Sequence, residues 1–381
     1  MIPYGRQSIN QADIDAVVRV LQSEYLTQGP AVPQFERVVS ESCGGKVEAV
    51  ASNSATSSLH LACLALDVGP GDVVWTSPIT FLASSNCALY CGADVDFVDI
   101  DPVTWNMSVE ALKHKLAEAE EKGRLPKAVI PVHLCGQPCD MAAIAELAQR
   151  YNFRVIEDAS HAIGATYRET TIGDCAYSDI VVFSFHPVKI VTTAEGGVAT
   201  TRNPALAERM RLLRAHGVTR DPARMEGLSE GPWYYQQVEL GYNYRMTELQ
   251  AALGVSQMTR LGEFVARRRA IAVRYQELLG GSQVVLPTHP SDINPAWHLY
   301  VVRVDAQRRR AIFESLRAEG IGVNVHYIPV PAQPWYRKLG HDPAQYPNAQ
   351  RYYAEAISVP LYAGMSDEDV AVVATALISQ L

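Results

Sequence analysis

Ser178-Asp-Ile-Val-Val-Phe-Ser-Phe-His-Pro-Val-Lys-Ile-Val-Thr-Thr-Ala-Glu-Gly-Gly197 is the stretch from which the rest of the chain is read. Ile180 to Phe183 are β-branched or aromatic, the composition of a buried strand. Pro187 has no N–H to give a ladder and ends the strand. Lys189 therefore follows a buried strand on an irregular turn, among the apolar Val188, Ile190 and Val191. Burial disfavours an ammonium and lowers its pKa, which a Schiff-base nucleophile needs. A lysine whose stem packs while its head reaches water accounts for this stretch equally well. The flanking sequence has to supply the other parts of a lysine-imine site.

Upstream, the pattern alternates. Asn10 caps a helix whose apolar face is Ile14, Val17, Val18 and Leu21, and Val32, Phe35, Val38 and Val39 mark a second. Strand Val47–Ala51 runs into Ser52-Asn-Ser-Ala-Thr-Ser-Ser58 and a helix carrying Leu59, Ala62, Cys63 and Leu66. Strands Val73–Thr76, Val95–Asp99, Ala128–Val132 and Arg154–Glu157 then alternate with helices Leu82–Tyr90, Val109–Glu121 and Met141–Tyr151. Such alternation implies a largely parallel sheet with helices on both faces, and ligands at the carboxyl ends of its strands. Downstream, a helix over Ala205–His216 precedes a long loop, Gly217 to Gly241, holding Trp233-Tyr-Tyr235. Helices resume at Thr247 and run, with a break near Gly262, to Leu279. Beyond Gln283 the alternation returns: strands Leu299–Val304 and Val323–Tyr327, helices Ala306–Glu319 and Asn348–Ile357, and a last helix behind the capping box Ser366-Asp-Glu-Asp369. The expected division is an N-terminal segment 1–30 packing with the smaller domain and the site, a large domain 31–261 and a small C-terminal domain 262–381.

The chain has 381 residues, 48% hydrophobic and 19% charged, as soluble globular proteins do. With 33 basic against 41 acidic residues and no basic run, nucleic acid is not an expected partner. No apolar run approaches transmembrane length and the start does not read as a signal peptide, so no membrane is expected either. Seven scattered cysteines without a CxxC pair read as reduced thiols in a cytoplasmic protein, and no Cys/His cluster has zinc spacing.

Strand 153–157 ends in Glu157-Asp-Ala-Ser-His-Ala-Ile-Gly164. A carboxylate at the end of a buried strand needs a positive partner, such as a protonated pyridine nitrogen; a helix N-cap is the plainer role for Asp158. Ser54-Ala-Thr-Ser-Ser58 offers hydroxyls and free amides where a strand turns into a helix, suited to phosphate or to simple capping. Ser184 can add a hydroxyl, and Phe81 can lie on an aromatic ring or fill the core. Aspartate for a ring nitrogen, an aromatic for its face, hydroxyls for a phosphate and a lysine for an aldehyde together describe pyridoxal phosphate.

Asn53-Ser-Ala-Thr, Glu157-Asp-Ala-Ser-His-Ala-Ile-Gly, Ser184-Phe-His-Pro-Val-Lys with Thr193-Ala-Glu-Gly-Gly, and Gly241-Tyr-Asn-Tyr-Arg-Met with Glu248-Leu-Gln-Ala-Ala-Leu-Gly resemble the DegT/DnrJ/EryC1/StrS family of pyridoxal-phosphate-dependent sugar aminotransferases. The resemblance spans nearly the whole chain. It implies an α/β fold of the aspartate aminotransferase type (fold type I), with a mostly parallel central sheet and a smaller C-terminal α/β domain. Leu26-Thr-Gln-Gly-Pro, His326-Tyr-Ile-Pro-Val-Pro, Gln333-Pro-Trp-Tyr-Arg and Tyr346-Pro-Asn-Ala look most like the PseC branch, which aminates C4 of UDP-linked 4-keto-6-deoxy-N-acetylhexosamines for pseudaminic acid.

By that resemblance Lys189 would bind the cofactor as a Schiff base, Asp158 would hold the pyridinium proton and His161 would stand near the phenolic oxygen. Phe81 would stack on the ring, and Ser54, Ala55, Thr56 and Ser184 would hold the phosphate, with Asn243 reaching it from a second subunit. Tyr4, Glu24, Tyr25, Leu26, Thr27, His326, Tyr327, Ile328 and Pro329 would line the sugar-nucleotide pocket. The implied partners are a UDP-sugar and L-glutamate in a ping-pong Schiff-base reaction, on a homodimer with shared sites. Val330-Pro-Ala332 stands where the family's Val-His-Leu is expected, which leaves the exact sugar open. Other keto sugars, dTDP- or GDP-linked, and cyclitol ketones are the alternative substrates. A regulator that only binds would need neither Lys189 nor Asp158.

Overall fold

The computed structural model describes residues 1–381. Seven short strands form the main sheet: β1 (Glu48–Ser52), β2 (Val73–Thr76), β3 (Asp94–Phe97), β4 (Ala128–Ile130), β5 (Arg154–Asp158), β6 (Ile180–Ser184) and β7 (Gly197–Thr201). Their order in space is β1-β7-β6-β5-β4-β2-β3. The pairings from β6 across to β3 are parallel, while β7 runs antiparallel to both β1 and β6. The sheet is thus largely parallel, as the alternation implies. Its antiparallel member comes from Gly197–Thr201, which the sequence pattern leaves as a link between the lysine turn and the next helix.

Strands covered on both faces must be apolar on both, and β6 shows it. Val181 and Phe183 pack with α2 (Ala31–Ser42), α5 (Val109–Glu121) and α6 (Met141–Tyr151). Ile180 and Val182 pack on the opposite face with α3 (Ala55–Ala65), α4 (Ala83–Tyr90) and α7 (Pro204–Leu213). The same alternation on β5 sends Glu157 toward the first layer and Asp158 toward the second. Each such large side chain, fully enclosed, stabilises the layers by about 1.5–3 kcal/mol.

α1 (Gln11–Leu21) starts where Asn10 predicts, with a capping box between Asn10 and Asp13. Its apolar stripe is not the docked face. Ile14, Val18 and Leu21 face outward, 48%, 40% and 58% exposed, whereas Asp13 is fully buried. The reason lies in α8 (Glu248–Met258) and the turn behind it. Ser256 Oγ, Gln257 Nε2 and Arg260 Nη2 all donate to the Asp13 carboxylate, at 2.6, 2.7 and 2.5 Å. Three charge-assisted bonds hold the polar side of α1 against α8 and leave its apolar stripe open.

Beyond α8, α9 (Leu261–Leu279) carries Ile271, Tyr275 and Leu279 into a second core with Ile312, Leu316, Val370 and Leu377. Here Tyr300–Arg303 pairs antiparallel with Ala356–Val359. Two expectations fail in this region. Helix Pro347–Glu355 ends before Ala356 and Ile357, because those two residues complete the ladder with Tyr300–Arg303. Val323–Tyr327 is not a strand: only Asn324 bridges to Ser358, and the Asn324 side chain accepts the N–H of Val325 at 2.8 Å, turning the chain off the ladder. The loop 217–241 contains one small hairpin, Val218–Thr219 with Gln236–Gln237, and leaves Leu228, Trp233, Tyr235 and Leu240 exposed.

Candidate active site

At Ser52 the chain leaves β1 and turns into α3. Ser54 caps that helix, its hydroxyl accepting the Ser57 N–H at 3.1 Å. The amides of Ala55 and Thr56 then lie in the first turn, at the positive end of the helix dipole, with no intrahelical acceptor. Gly197 makes the close packing beneath this turn possible, since a Cβ there would stand 2.5 Å from the Ala55 nitrogen. Ser184, the last residue of β6, is buried beside it. Ser54, Ala55, Thr56 and Ser184 form one end of a cavity of about 500 Å³, with free donors and a positive field suited to a phosphate.

The carboxyl end of β5 supplies the opposite wall. The Asp158 N–H donates to the Pro131 carbonyl at 2.9 Å and its carbonyl accepts the His133 N–H at 3.1 Å. Its carboxylate is buried and oriented by two donors, Ser84 Oγ at 2.6 Å and the Ser160 N–H at 3.1 Å. Ser84 Oγ lies in turn 2.6 Å from Thr80 Oγ1. An anion so enclosed calls for a cation opposite, and the cationic side chain facing this cavity from a lysine or arginine is Lys189.

Lys189 closes a turn on the carbonyl of His186, at 2.9 Å. Burial pulls its ammonium down to about 8, with the nearby Asp158 charge working against that shift. About a tenth of the amine is then neutral at pH 7, against less than a thousandth for a free lysine. A lysine lowered in this way is what the strand-and-turn reading expects of a Schiff-base nucleophile.

His161 is buried with Nε2 3.2 Å from the Tyr327 hydroxyl, and its ring centre lies 4.4 Å from that of His298. Burial, followed by the charges of Lys189 and His326, holds it well below the usual histidine range, so it is a neutral ring. His298 is lowered for the same reasons, and burial with Lys189 pulls His326 down to about 4. Nδ1 of both His161 and His298 is buried without a partner. Two orphaned nitrogens in a cavity with free amides at its other end suit a polar, hydrogen-bonding ligand. Phe81, 59% exposed, stands at the mouth 6.3 Å from the Tyr327 ring, and Tyr4 and His326 complete that rim.

The structure thus gathers Lys189, Asp158, His161, Ser54, Ala55, Thr56, Phe81, Ser184, Tyr4, His326 and Tyr327 around one cavity. Other candidates do not line it in the single chain. Glu24, Tyr25, Leu26 and Thr27 lie on the surface beyond α1, Ile328 points outward, Pro329 is buried outside the cavity, and Asn243 is exposed, its carbonyl 3.4 Å from the Asn53 amide. Conversely, Thr80, Ser160, His186, Glu195 and His298 line the cavity without having been singled out from the sequence, and Ser84 bonds to Asp158 from behind. Ser84 is one hydroxyl among several near a helix start, and His298 follows a strand-like Trp-His-Leu-Tyr pattern. Neither carries a local mark. No group of His, Cys, Asp or Glu is arranged to hold a metal ion, and no helix is long and apolar enough to cross a membrane.

Residues 7–378 match the model of the DegT/DnrJ/EryC1/StrS aminotransferase family. The spore coat polysaccharide biosynthesis protein SpsC of Bacillus subtilis is 41% identical over 378 residues, covering 97% of this chain and 94% of that protein. Among solved structures, Spr1654 of Streptococcus pneumoniae, assigned as a sugar aminotransferase and seen in its PMP form, superposes with a TM-score of 0.91 at 32% identity, covering 100% of this chain and 99% of that one. Helicobacter pylori PseC, an aminotransferase of pseudaminic acid biosynthesis, superposes with a TM-score of 0.90 at 29% identity over 100% and 98% of the two chains. The sheet order, its single antiparallel member and the site at the strands' carboxyl ends therefore belong to fold type I. By sequence and by structure, the chain belongs to the DegT/DnrJ/EryC1/StrS aminotransferase family.

Proposed function

We infer that this sugar aminotransferase uses pyridoxal phosphate and moves an amino group from L-glutamate to C4 of a UDP-linked 4-keto-6-deoxy-N-acetylhexosamine, as the PseC branch does. The observation that carries the chemistry is Lys189 and Asp158 lining one cavity whose far end is the amino terminus of α3. Pyridoxal phosphate supplies an aldehyde that captures amines and a ring that accepts the electrons of a broken Cα–H bond. Around it, the amides of Ala55 and Thr56 and the hydroxyls of Ser54 and Ser184 hold the phosphate. Asp158, fixed by Ser84 and Ser160, keeps a proton on the ring nitrogen. Phe81 would lie against the cofactor from the mouth of the cavity, and neutral His161, with its unpartnered Nδ1, would offer it a hydrogen bond. Lys189 would hold the cofactor at rest and, once freed, its neutral Nζ would take up the donor's Cα proton and give it back.

Tyr4 and the 326–329 segment receive the sugar, with Glu24 to Thr27 joining from the surface. Two features support a homodimer with shared sites: the unpartnered apolar stripe of α1, and the exposed aromatic loop leading to Asn243, which would reach the partner's phosphate. The cytoplasm and a division of the chain at residues 30 and 261 complete the reading. Other keto sugars, dTDP- or GDP-linked, and cyclitol ketones form the second reading. Half-reaction spectra decide between them. Enzyme aminated by glutamate should regain its visible band with the UDP-4-keto-N-acetyl sugar at least tenfold more efficiently than with dTDP- or GDP-linked sugars. The reverse preference would overturn the substrate assignment.

A further inference from the structure

Glu157 precedes Asp158 on β5 and points to the other face of the sheet, away from the cavity. It is buried, and both of its carboxylate oxygens are engaged. His133 Nε2 lies 2.7 Å from one, and Ser178 Oγ donates to the other at 2.5 Å. His133 is itself completely enclosed, and its Nδ1 accepts the N–H of Cys139 at 3.1 Å. Burial pulls this imidazole down and the contacts to Cys139 and Glu157 more than offset it, but that net rise requires Nδ1 to be free for a proton, and Nδ1 is already taken by the Cys139 N–H. A second ring proton would have to displace the Cys139 N–H from Nδ1, so the ring stays neutral and gives its one proton to Glu157. The pair therefore carries one net negative charge, next in sequence to Asp158.

The main chain of His133 is tied to the same place, its N–H donating to the Asp158 carbonyl at 3.1 Å. One residue thus clasps Glu157 with its ring and Asp158 with its backbone. The titratable groups whose charges reach this pair are Cys139, Asp174 and Cys175, with Cys43 and Lys46 in turn beside Asp174. Cys139 donates its thiol to the Val132 carbonyl, Asp174 faces Arg202 at 3.3 Å, and burial, then the Glu157 charge, pushes the Cys175 thiol up and keeps it protonated. None of them neutralises Glu157.

The geometry points to Glu157 as a positioning residue of the transamination: held by His133 and Ser178, it fixes the end of β5 and adds a second buried negative charge behind Asp158, favouring the protonated ring nitrogen. This inference rests on the roles proposed for Asp158 and Lys189. A carboxylate kept only for stability would be unusual here, since a buried charge held by neutral donors costs desolvation that apolar packing of the same volume would not.

The test uses holoenzyme of Glu157→Gln, which removes the charge and keeps the size. Its visible band, titrated against pH, should show a midpoint lower by roughly one unit, since a negative charge no longer favours the protonated cofactor. The kcat should fall about tenfold while KM for glutamate stays within about twofold, the split expected when a transition-state interaction is lost. An unchanged midpoint and kcat, with only the melting temperature lowered, would make Glu157 purely structural and overturn the inference. Wild-type protein lacking any visible band would instead sink the reading of Lys189. Should Glu157→Gln not fold, selective ¹⁵N labelling of histidine in wild-type holoenzyme decides. A His133 ring protonated on Nε2 alone from pH 6 to 9 supports the net charge, and a doubly protonated ring removes it.

Discussion

Ser84→Ala removes one oxygen from behind the site and should slow the reaction without touching substrate or cofactor. Ser84 has a single hydroxyl proton. Asp158 can only accept, so Ser84 donates to it at 2.6 Å and must accept in turn from Thr80, also at 2.6 Å. This relay lies among buried groups, where no water replaces a lost donor. A hydrogen bond to a charged group in such a place is worth about 1.5–3 kcal/mol. Its loss makes the Asp158 carboxylate more basic, so a proton shared with the cofactor ring nitrogen moves toward Asp158 and the ring accepts electrons less well. If about 2 kcal/mol of that appears in the barrier, kcat falls by roughly 30-fold. Stopped-flow decay of the visible band with saturating glutamate measures this half-reaction alone, and circular dichroism checks that the variant folds. A folded Ser84→Ala enzyme within about threefold of wild type would show that the Ser84–Asp158 bond does not support the ring nitrogen.

Further outcomes follow from the same geometry. Asp158→Asn should retain the cofactor but lose several orders of magnitude in kcat, and a loss below about tenfold, or ~1.4 kcal/mol, would reduce Asp158 to a helix cap. With the Lys189 amine lowered to about 8, the neutral nucleophile grows as pH rises through that value. Capture of pyridoxal phosphate by apoenzyme should therefore quicken about fivefold from pH 7 to 8 and less than twofold from 8 to 9. A steady tenfold rise per unit up to pH 10 would mean an ordinary surface lysine. Mixing inactive Lys189→Ala and Asn243→Ala chains should restore part of the activity, because each mixed dimer holds one intact site. No recovery despite subunit exchange would place Asn243 away from the partner's phosphate.

What the sequence could and could not reveal follows from how local each signal is. Lys189 was legible because its strand, its proline stop and its apolar surroundings all lie within about a dozen residues. The cap at Asn10 and the capping box at Ser366 are local patterns and formed as read. Helical periodicity marks the apolar stripe of α1 without saying what covers it. Burial of Asp13 depends on three donors nearly 250 residues away. β7 was missed since it lies in the sheet only because β1 and β6 leave a slot for it. The second ring of the site was silent for the same reason. Ser84 and Asp158 are 74 residues apart, and His133, just past the end of β4, is 24 from Glu157 on β5. Nothing local distinguishes Ser84 from Ser85, which instead meets Tyr336.

The central claim is that Lys189 forms the covalent bond to the cofactor. Borohydride reduction of the yellow holoenzyme, followed by proteolysis and mass spectrometry, locates that bond directly. A phosphopyridoxyl group on the peptide containing His186-Pro-Val-Lys189, and its loss when the enzyme is first converted with glutamate, is the result expected. The label on any other lysine, or none on a protein that turns over, would contradict the account.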